Sequence, residues 1–373
     1  MALRNLIAER VRIMGSSGIR RAFDLAASLK DPINFSIGQP DFPVPANVKR
    51  AIARAVEEDR NGYTVTRGLP VLRERIKEGL AREFPGWEPD LFVTGGVSGG
   101  LLLSLFALLN PGDEVLFGDP YFVSYPHLVR LAGGVPIAVD LYDDFQLLPD
   151  RFAAAVTERT RAIILTSPGN PSGVVYRPND VKAIAELARH RDLLIISDEI
   201  YGMLSYDGPS PNAVLFAPER TLILRGFGKS HAMTGLRIGY AAGPSELITA
   251  MAKLQQYTYV CAPHPIQYGA IEALGTDMSR HVSDYRAKRD LVCRELERAF
   301  QFIRPSGGFY VFPKVPPRFA SGAAFIEEAV RRNLLLVAGE VFSRRDTHFR
   351  LSYAVPDDKI RAGCEILRSL AQA

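Results

Sequence analysis

The chain has 373 residues, enough for one large domain with a smaller one attached. Hydrophobic residues make up 47% and charged residues 23%, a globular composition that excludes a disordered or fibrous chain. The net charge is +4 and the arginines are scattered instead of clustered, so no nucleic-acid partner is expected.

The cysteines and the first residues indicate the compartment. Cys261, Cys293 and Cys364 are odd in number and far apart, which argues against a disulfide framework and favours a reducing cytosol. Charges interrupt residues 1–12, so no signal peptide is expected, and no apolar stretch reaches the roughly twenty residues that span a bilayer. We expect a soluble cytoplasmic protein without membrane association.

A proline-rich segment and a glycine-rich segment precede the main apolar runs. Prolines in residues 37–45 are incompatible with a helix or an inner strand, so this connector is expected to be a hinge or a loop that lines a site. Residues 94–100 form a glycine-rich turn before the apolar helix predicted at 101–109. Such a turn presents backbone N–H groups to an anion.

From about residue 114 to residue 242, short apolar, β-branched runs alternate with helix-length segments. This alternation predicts a mostly parallel sheet covered by helices. Residues 178–189 carry apolar residues on one helical face behind a first-turn proline, which predicts a covering helix. The predicted strands are 114–117, 135–139, 161–166, 193–197 and 221–224.

The C-terminal part has a different pattern. A helix-rich stretch at 279–300 is followed by apolar runs at 309–312 and 349–353 and an amphipathic helix from 357 to about 370. This predicts a smaller α+β domain. The predicted division is an N-terminal segment, 1–45, that contributes to the small domain, a large α/β domain, 46–285, and a small C-terminal domain, 286–373.

Polar side chains follow three of the predicted strands. Asn170 comes after the third run, Asp198 and Tyr201 after the fourth, and Lys229 after the fifth. Taken singly, they are common as a turn, a helix cap, a core tyrosine and a surface lysine. Ligands of an open parallel sheet collect at this edge, so an amide, a carboxylate, a phenol and an amine are expected together.

The motifs around these residues, at 170–173, 197–201 and 229–240, resemble those of class I/II aminotransferases. The resemblance spans nearly the whole chain. It implies the fold type I architecture of enzymes dependent on pyridoxal 5'-phosphate, an α/β fold with a mostly parallel central sheet sandwiched by helices and a smaller α+β domain. Further matches lie at 37–42, 63–73, 120–125 and 349–352.

The resemblance implies catalytic roles for the polar residues. Lys229 would hold pyridoxal phosphate as an imine and, once freed, would move the proton at the substrate's α carbon. Asp198 would face the pyridine nitrogen and favour its protonated form, which strengthens the electron sink. Asn170 and Tyr201 would donate hydrogen bonds to the ring's phenolate oxygen.

The resemblance also implies how the rest of the cofactor is held. Val97 and Ser98 in the glycine-rich turn and the cationic Arg237 would bind the phosphate. Phe122 would stack on the pyridine ring, although its pattern alone is that of a core residue. Tyr63 would reach the phosphate of a neighbouring subunit, so a homodimer with shared active sites is expected.

The family pattern further implies a substrate site and shows two departures. Arg350 would bind the substrate's α-carboxylate bidentately, assisted by Gly38 and Asn170. Gly226 stands where many members have serine or threonine, three residues before the lysine, and Gly99 stands where an acidic or amide side chain is more usual. The first departure predicts a phosphate site that is either weaker or repaired by a neighbouring group, and the second leaves the start of the predicted helix bare.

The implied function is a ping-pong aminotransferase that moves an amino group from an L-amino acid to a 2-oxo acid, 2-oxoglutarate by resemblance. Aromatic or aliphatic donors are favoured over aspartate, because no extra cation is evident for a second carboxylate. A carbon–sulfur β-lyase on the same scaffold and a catalytically idle sensor module remain alternatives. Residues 95–100 lack the spacing of a nucleotide-binding loop, and the six dispersed histidines predict no metal site.

Overall fold

The computed structural model describes residues 6–12, 14 and 29–372, in which the strands form three sheets. The five predicted runs of the α/β region all form strands, whose ends differ by one or two residues from the prediction. In chain order the strands are β1 (Ile33–Asn34), β2 (Asp90–Thr94), β3 (Glu114–Asp119), β4 (Val135–Asp140), β5 (Thr160–Thr166), β6 (Leu194–Asp198), β7 (Thr221–Gly226), β8 (Gly239–Gly243), β9 (Tyr310–Val311), β10 (Leu334–Leu335), β11 (Val337–Ala338) and β12 (Phe349–Ser352).

Helices connect most of these strands, and several begin with proline in the first turn, where its missing N–H costs no hydrogen bond. In chain order they are α1 (Glu9–Arg12), α2 (Ala46–Glu57), α3 (Pro70–Glu83), α4 (Gly96–Leu108), α5 (Ser124–Leu131), α6 (Pro149–Ala155), α7 (Pro178–His190), α8 (Phe227–Ser230), α9 (Ser245–Thr258), α10 (His264–Ala273), α11 (Ser279–Leu296), α12 (Gly322–Arg331) and α13 (Asp357–Gln372).

The central sheet is mostly parallel, which confirms the prediction. Its seven strands lie in the order β2-β8-β7-β6-β5-β3-β4, and β8 runs antiparallel to both of its neighbours. The strands β2 and β8 were not among the runs named from the sequence. The parallel strands β5, β6 and β7 end side by side, so the loops that follow them meet at one edge.

Apolar side chains cover both faces of this sheet. Within β5, Ile164 packs into a core with Leu101 and Leu105 of α4, whereas Ile163 packs on the opposite face with Ile184 of α7. Successive side chains of a strand point to opposite faces, so an unbroken apolar run is what a sheet covered on both sides requires. The helix predicted at 178–189 therefore lies where its apolar stripe indicates.

The C-terminal elements form a core of their own together with β1 and the residue that follows it. The strands β9, β12 and β11 form an antiparallel sheet, and β1 pairs in parallel with β10. Phe35, which follows β1, is fully buried among Phe349, Leu351 and Leu367. The predicted domain division stays a prediction: its first segment, 1–45, lies partly outside the described residues, and its boundary at 285/286 falls inside α11.

Within residues 6–12, 14 and 29–372, no helix is long and apolar enough to cross a membrane. The same residues contain no group of three histidine, cysteine or acidic side chains placed to hold a metal ion.

Candidate active site

A cavity of about 290 Å³ lies at the carboxyl ends of β5, β6 and β7. The chain brings together there nearly all of the residues that the sequence singles out, although they are up to 312 positions apart. Tyr63 is the exception, since it does not line the cavity. The predicted residues that do line it are Gly38, Val97, Ser98, Phe122, Asn170, Asp198, Tyr201, Lys229, Arg237 and Arg350.

Asp198 is the last residue of β6 and is buried. Its Oδ2 accepts a hydrogen bond of 2.8 Å from the hydroxyl of Tyr125, and its Oδ1 accepts one of 3.3 Å from the backbone N–H of Ile200. Burial raises the pKa of Asp198 to about 6, although both hydrogen bonds favour the ionised form. The strand end thus presents to the cavity a carboxyl group that titrates close to neutrality.

Lys229 lies in the one-turn helix α8, directly after β7. Its Nζ donates a hydrogen bond to the backbone carbonyl of Gly38. Burial, together with the positive charges of Arg350 and Arg237, lowers the pKa of Lys229 to about 8, whereas Asp198 opposes the shift. A substantial fraction of the amine is therefore neutral near pH 8, which is the nucleophilic form.

Arg350 is 1% exposed, and its guanidinium retains unused donors. Nη1 donates to Asn170 Oδ1 at 3.0 Å and Nη2 to the carbonyl of Ser36 at 2.7 Å, whereas the buried Nε has no partner among the described residues. The guanidinium lies 4.5 Å from the ring centre of Tyr310 and 4.6 Å from that of Phe342. These two rings hold the plane of a group that has five N–H donors, so a planar anion can still be bound.

Tyr201 and Tyr310 form a buried pair at the floor of the cavity. Their hydroxyl oxygens are 2.9 Å apart, and burial raises the pKa of both, so both stay protonated and can donate. The Tyr310 hydroxyl also explains the glycine at position 38, because a Cβ on Gly38 would overlap it. Tyr310 thus lies against three predicted site residues, Tyr201, Gly38 and Arg350.

The start of α4 and Arg237 form a cradle at the other end of the cavity. Gly96 has a φ of 75°, and a Cβ there would lie 3.0 Å from Nη2 of Arg237. Arg237 adopts the left-handed conformation, with a φ of 52°, and its Nη1 donates to the carbonyl of Thr234 at 2.7 Å. The first N–H groups of a helix have no intrahelical partner, so with Val97, Ser98 and this cation they can hold an anion.

Neighbouring atoms lie close to both glycines that depart from the family pattern, Gly226 and Gly99. A Cβ on Gly226 would lie 3.1 Å from the carbonyl oxygen of Ile238 and 3.2 Å from Cγ2 of Val97. A Cβ on Gly99 would lie 3.0 Å from the hydroxyl of Tyr259. Val97 therefore leaves little room for a side chain at position 226. The hydroxyl of Tyr259 lies beside the start of α4, where Gly99 provides no side chain.

Two aromatic residues with predicted roles differ in their surroundings. Phe122 lines the cavity, and its ring meets that of Tyr125 edge-on with centres 5.6 Å apart. Tyr63 is 83% exposed and lies outside the cavity. Within a single chain, therefore, Tyr63 has no contact with the site for which it is predicted.

No role was predicted from the sequence for Tyr125, Tyr310 or the carbonyl of Ser36. Tyr125 lies in a matched motif and three positions after Phe122, so helical spacing could have placed both on one face. Tyr310 lies in an apolar strand run, where an inward tyrosine resembles any core residue. A backbone carbonyl carries no sequence signal at all.

Comparisons with known proteins agree on one family. The family model for "Aminotransferase class I and II" matches residues 30–367. The aspartate aminotransferase of Pyrococcus abyssi is 36% identical, and the match covers 95% of each chain. The solved structure of Thermus thermophilus aspartate aminotransferase with maleate is 35% identical, with a TM-score of 0.92, and covers 98% of this chain and 99% of that one. The aromatic aminotransferase of Pyrococcus horikoshii is 34% identical, with a TM-score of 0.87 over 93% of this chain and 98% of that one.

Proposed function

Because the chain belongs to the class I and II aminotransferase family, we propose that it uses pyridoxal 5'-phosphate to transfer the amino group of an L-amino acid to 2-oxoglutarate by a ping-pong mechanism. The aminotransferase activity and the fold type I architecture predicted from the sequence are confirmed. The cofactor, the substrates and the residue roles are the proposed part.

The cavity fits the phosphate of this cofactor at one end. The positive φ of Gly96 brings the backbone so close to Arg237 that a side chain at position 96 would crowd the guanidinium. Val97 and Ser98 follow in the first turn of α4, where backbone N–H groups are free of intrahelical partners. These N–H groups and Arg237 would hold the phosphate, and the Ser98 hydroxyl would add a donor.

The other groups fit the ring of the cofactor. Asp198 would hold the ring nitrogen, Asn170 and Tyr201 would donate to the phenolate oxygen, and Phe122 would cover one face. Asp198, Asn170 and Tyr201 are each at most 5% exposed, which strengthens their electrostatic interactions with a bound group. Burial of the carboxylate is the single observation that carries this assignment, because Asp198 faces the cavity from the end of a core strand.

When bound, pyridoxal phosphate supplies an electron sink for the bonds at the substrate's α carbon. Lys229 would accept the proton from that carbon and donate it to the cofactor. An amine with a pKa of about 8 can do both near neutral pH. Arg350 would hold the α-carboxylate and so orient the α C–H bond toward Lys229. Tyr310 would keep the guanidinium plane in place from below.

The charged lining bears on the choice of amino donor. Among the described residues, the charged side chains that line the cavity are Asp198, Lys229, Arg237 and Arg350, and each already has a proposed role. A donor with an aromatic or aliphatic side chain would need no further cation. Aspartate, which occurs in the names of two of the relatives above, would need a cation in addition to these four residues.

We further propose a cytoplasmic homodimer. Tyr63 is 83% exposed, so its side chain is accessible to a second copy of the chain. In that dimer Tyr63 would reach the phosphate site of the partner. The three cysteines are free, and Cys293 and Cys364 are buried, which supports a reducing compartment.

The first experiment is a spectrum of the purified protein with added pyridoxal phosphate. Wild type is expected to develop the colour of a lysine-bound cofactor, to lose it with an amino donor and to regain it with a 2-oxo acid. Lys229→Ala is expected to lose this cycle, and Lys253→Ala, an exposed lysine of α9, is the matched control. The proposal fails if Lys229→Ala retains the cycle.

Product analysis with a panel of donors identifies the reaction and the substrate. Aspartate, phenylalanine, tyrosine and leucine would be compared with 2-oxoglutarate as acceptor, and glutamate formation would be measured. Pyruvate and ammonia formed without an acceptor would instead identify a β-lyase. Binding without turnover of any donor would identify a sensor module.

A further inference from the structure

Tyr125 is a fully buried tyrosine that touches the proposed catalytic machinery and has no role in the proposal above. It lies in α5, is 1% exposed, and its hydroxyl is 2.8 Å from Oδ2 of Asp198. Its ring packs between those of Phe117 and Phe122, with centres 5.9 and 5.6 Å away. The position of the hydroxyl is therefore fixed by packing on both sides of the ring.

We infer that Tyr125 is a positioning residue that keeps Asp198 ionised and aimed into the cavity through the hydrogen bond it donates. The inference rests on the proposed function, in which the carboxylate of Asp198 holds the protonated ring nitrogen of the cofactor. An ionised acceptor makes this a charge-assisted hydrogen bond, which is roughly twice as strong as a neutral one.

Among the groups around Asp198, the Tyr125 hydroxyl contributes a large share of the stabilisation of the ionised carboxylate. Burial and the adjacent carboxylate of Glu199 both favour the protonated form, whereas Lys229 favours the ionised form. The hydrogen bond from the backbone N–H of Ile200 to Asp198 is longer, at 3.3 Å, and also favours ionisation. The phenol of Tyr201 faces Asp198 from the following loop and stays neutral, because burial raises its pKa.

The two partners of this hydrogen bond come from different elements, Tyr125 from α5 and Asp198 from β6. Asp198 ends β6, and Thr166 is its partner on the neighbouring strand β5. Thr166 also lines the cavity at this point. Among the described residues, the Tyr125 hydroxyl donates its proton to Oδ2 of Asp198.

The substitution Tyr125→Phe removes the hydroxyl and keeps the ring in its place. The matched control is Tyr176→Phe, because Tyr176 is also buried and burial alone raises its pKa. The full-length protein would be labelled with ¹³C at aspartate carboxyl carbons and titrated by nuclear magnetic resonance, without and with cofactor. Asp198→Asn identifies the signal of Asp198 by its loss.

We expect Tyr125→Phe to raise the pKa of Asp198 by about one pH unit or more, which is the shift that a lost charge-assisted hydrogen bond corresponds to. When the pKa of Asp198 is raised, a falling pH protonates its carboxylate at a higher pH than in wild type. The dissociation constant of pyridoxal phosphate is therefore expected to rise about tenfold at the acid end of the titration and to return to the wild-type value at the alkaline end.

Two outcomes would overturn the inference. One is an unchanged titration of Asp198 in Tyr125→Phe. The other is a loss of cofactor affinity that is equal at every pH, which would indicate a packing defect. Failure of the proposed function would look different: wild type itself would bind no pyridoxal phosphate, whereas the titration of Asp198 without cofactor would still respond to Tyr125→Phe.

Discussion

Gly38→Ala tests whether the floor of the active site depends on the fit between the 37–45 connector and Tyr310. A Cβ at position 38 would overlap the hydroxyl of Tyr310, although it would lie 3.5 Å, an ordinary contact, from the ring carbon that bears this hydroxyl. The tyrosine cannot move freely, because it is 1% exposed, bonded to Tyr201 and stacked against Arg350.

The expected cost has two parts. Overpacking of a buried site lowers the free energy of unfolding by about 1–3 kcal/mol. A displacement of Tyr310 by about 1 Å also moves the plane of Arg350, and a misplacement of that size lowers kcat/KM by about 100-fold. Donor turnover with 2-oxoglutarate measures the second part, and thermal unfolding followed by circular dichroism measures the first.

The double variant Gly38→Ala/Tyr310→Phe distinguishes the clash from other effects. Loss of the Tyr310 hydroxyl removes the overlapping atom, so the double variant is expected to be more active than Gly38→Ala alone. Gly235→Ala is the matched control, because a Cβ there meets nothing within 4 Å. If the effects of the two substitutions simply multiply, or if Gly38→Ala behaves like wild type, the reasoning is refuted.

Four further changes have expected outcomes. Arg350→Lys replaces a planar donor fork with a point charge, so kcat/KM for every amino donor should fall about 100-fold, as measured by steady-state kinetics, whereas cofactor binding should persist. Uptake of pyridoxal phosphate should accelerate as the pH rises through about 8, where Lys229 becomes neutral. Arg350→Met should move the midpoint of this pH dependence upward, because a nearby cation is lost. An unmoved midpoint would contradict the electrostatic cause. Gly226→Ser should lower the free energy of unfolding by about 1–3 kcal/mol, and Val97→Ala in the same chain should restore part of it, as measured by denaturant titration. Mixing inactive Tyr63→Ala and Lys229→Ala proteins after subunit exchange should regenerate activity if Tyr63 serves the partner's site; no recovery would argue against a shared site.

Local patterns were enough for much of the fold. The apolar runs predicted β3 to β7 to within two residues, because a strand buried on both faces must be apolar throughout. The strands β2 and β8 were missed. Residues 239–243 contain two glycines and two alanines besides one tyrosine, so the run lacks the β-branched residues that mark a strand.

Ordered motifs were also enough to bring most of the site together. Asp198 and Lys229 follow adjacent parallel strands, so the sheet forces them to one edge whatever the loops do. Tyr63 lies outside that edge, and its predicted role concerns a second copy of the chain. The assignment of individual roles to these residues remains a prediction.

The sequence by itself determined the family, the parallel sheet and the chemical types that meet at its edge, because each depends on local patterns in chain order. Only the tertiary structure decided which neighbours tune those groups. Tyr125 and Tyr310 reach Asp198 and Tyr201 across 73 and 109 positions of the chain, and no local pattern encodes such contacts. Burial decided the pKa of Asp198 and of Lys229, since it depends on how many distant segments exclude water from one point.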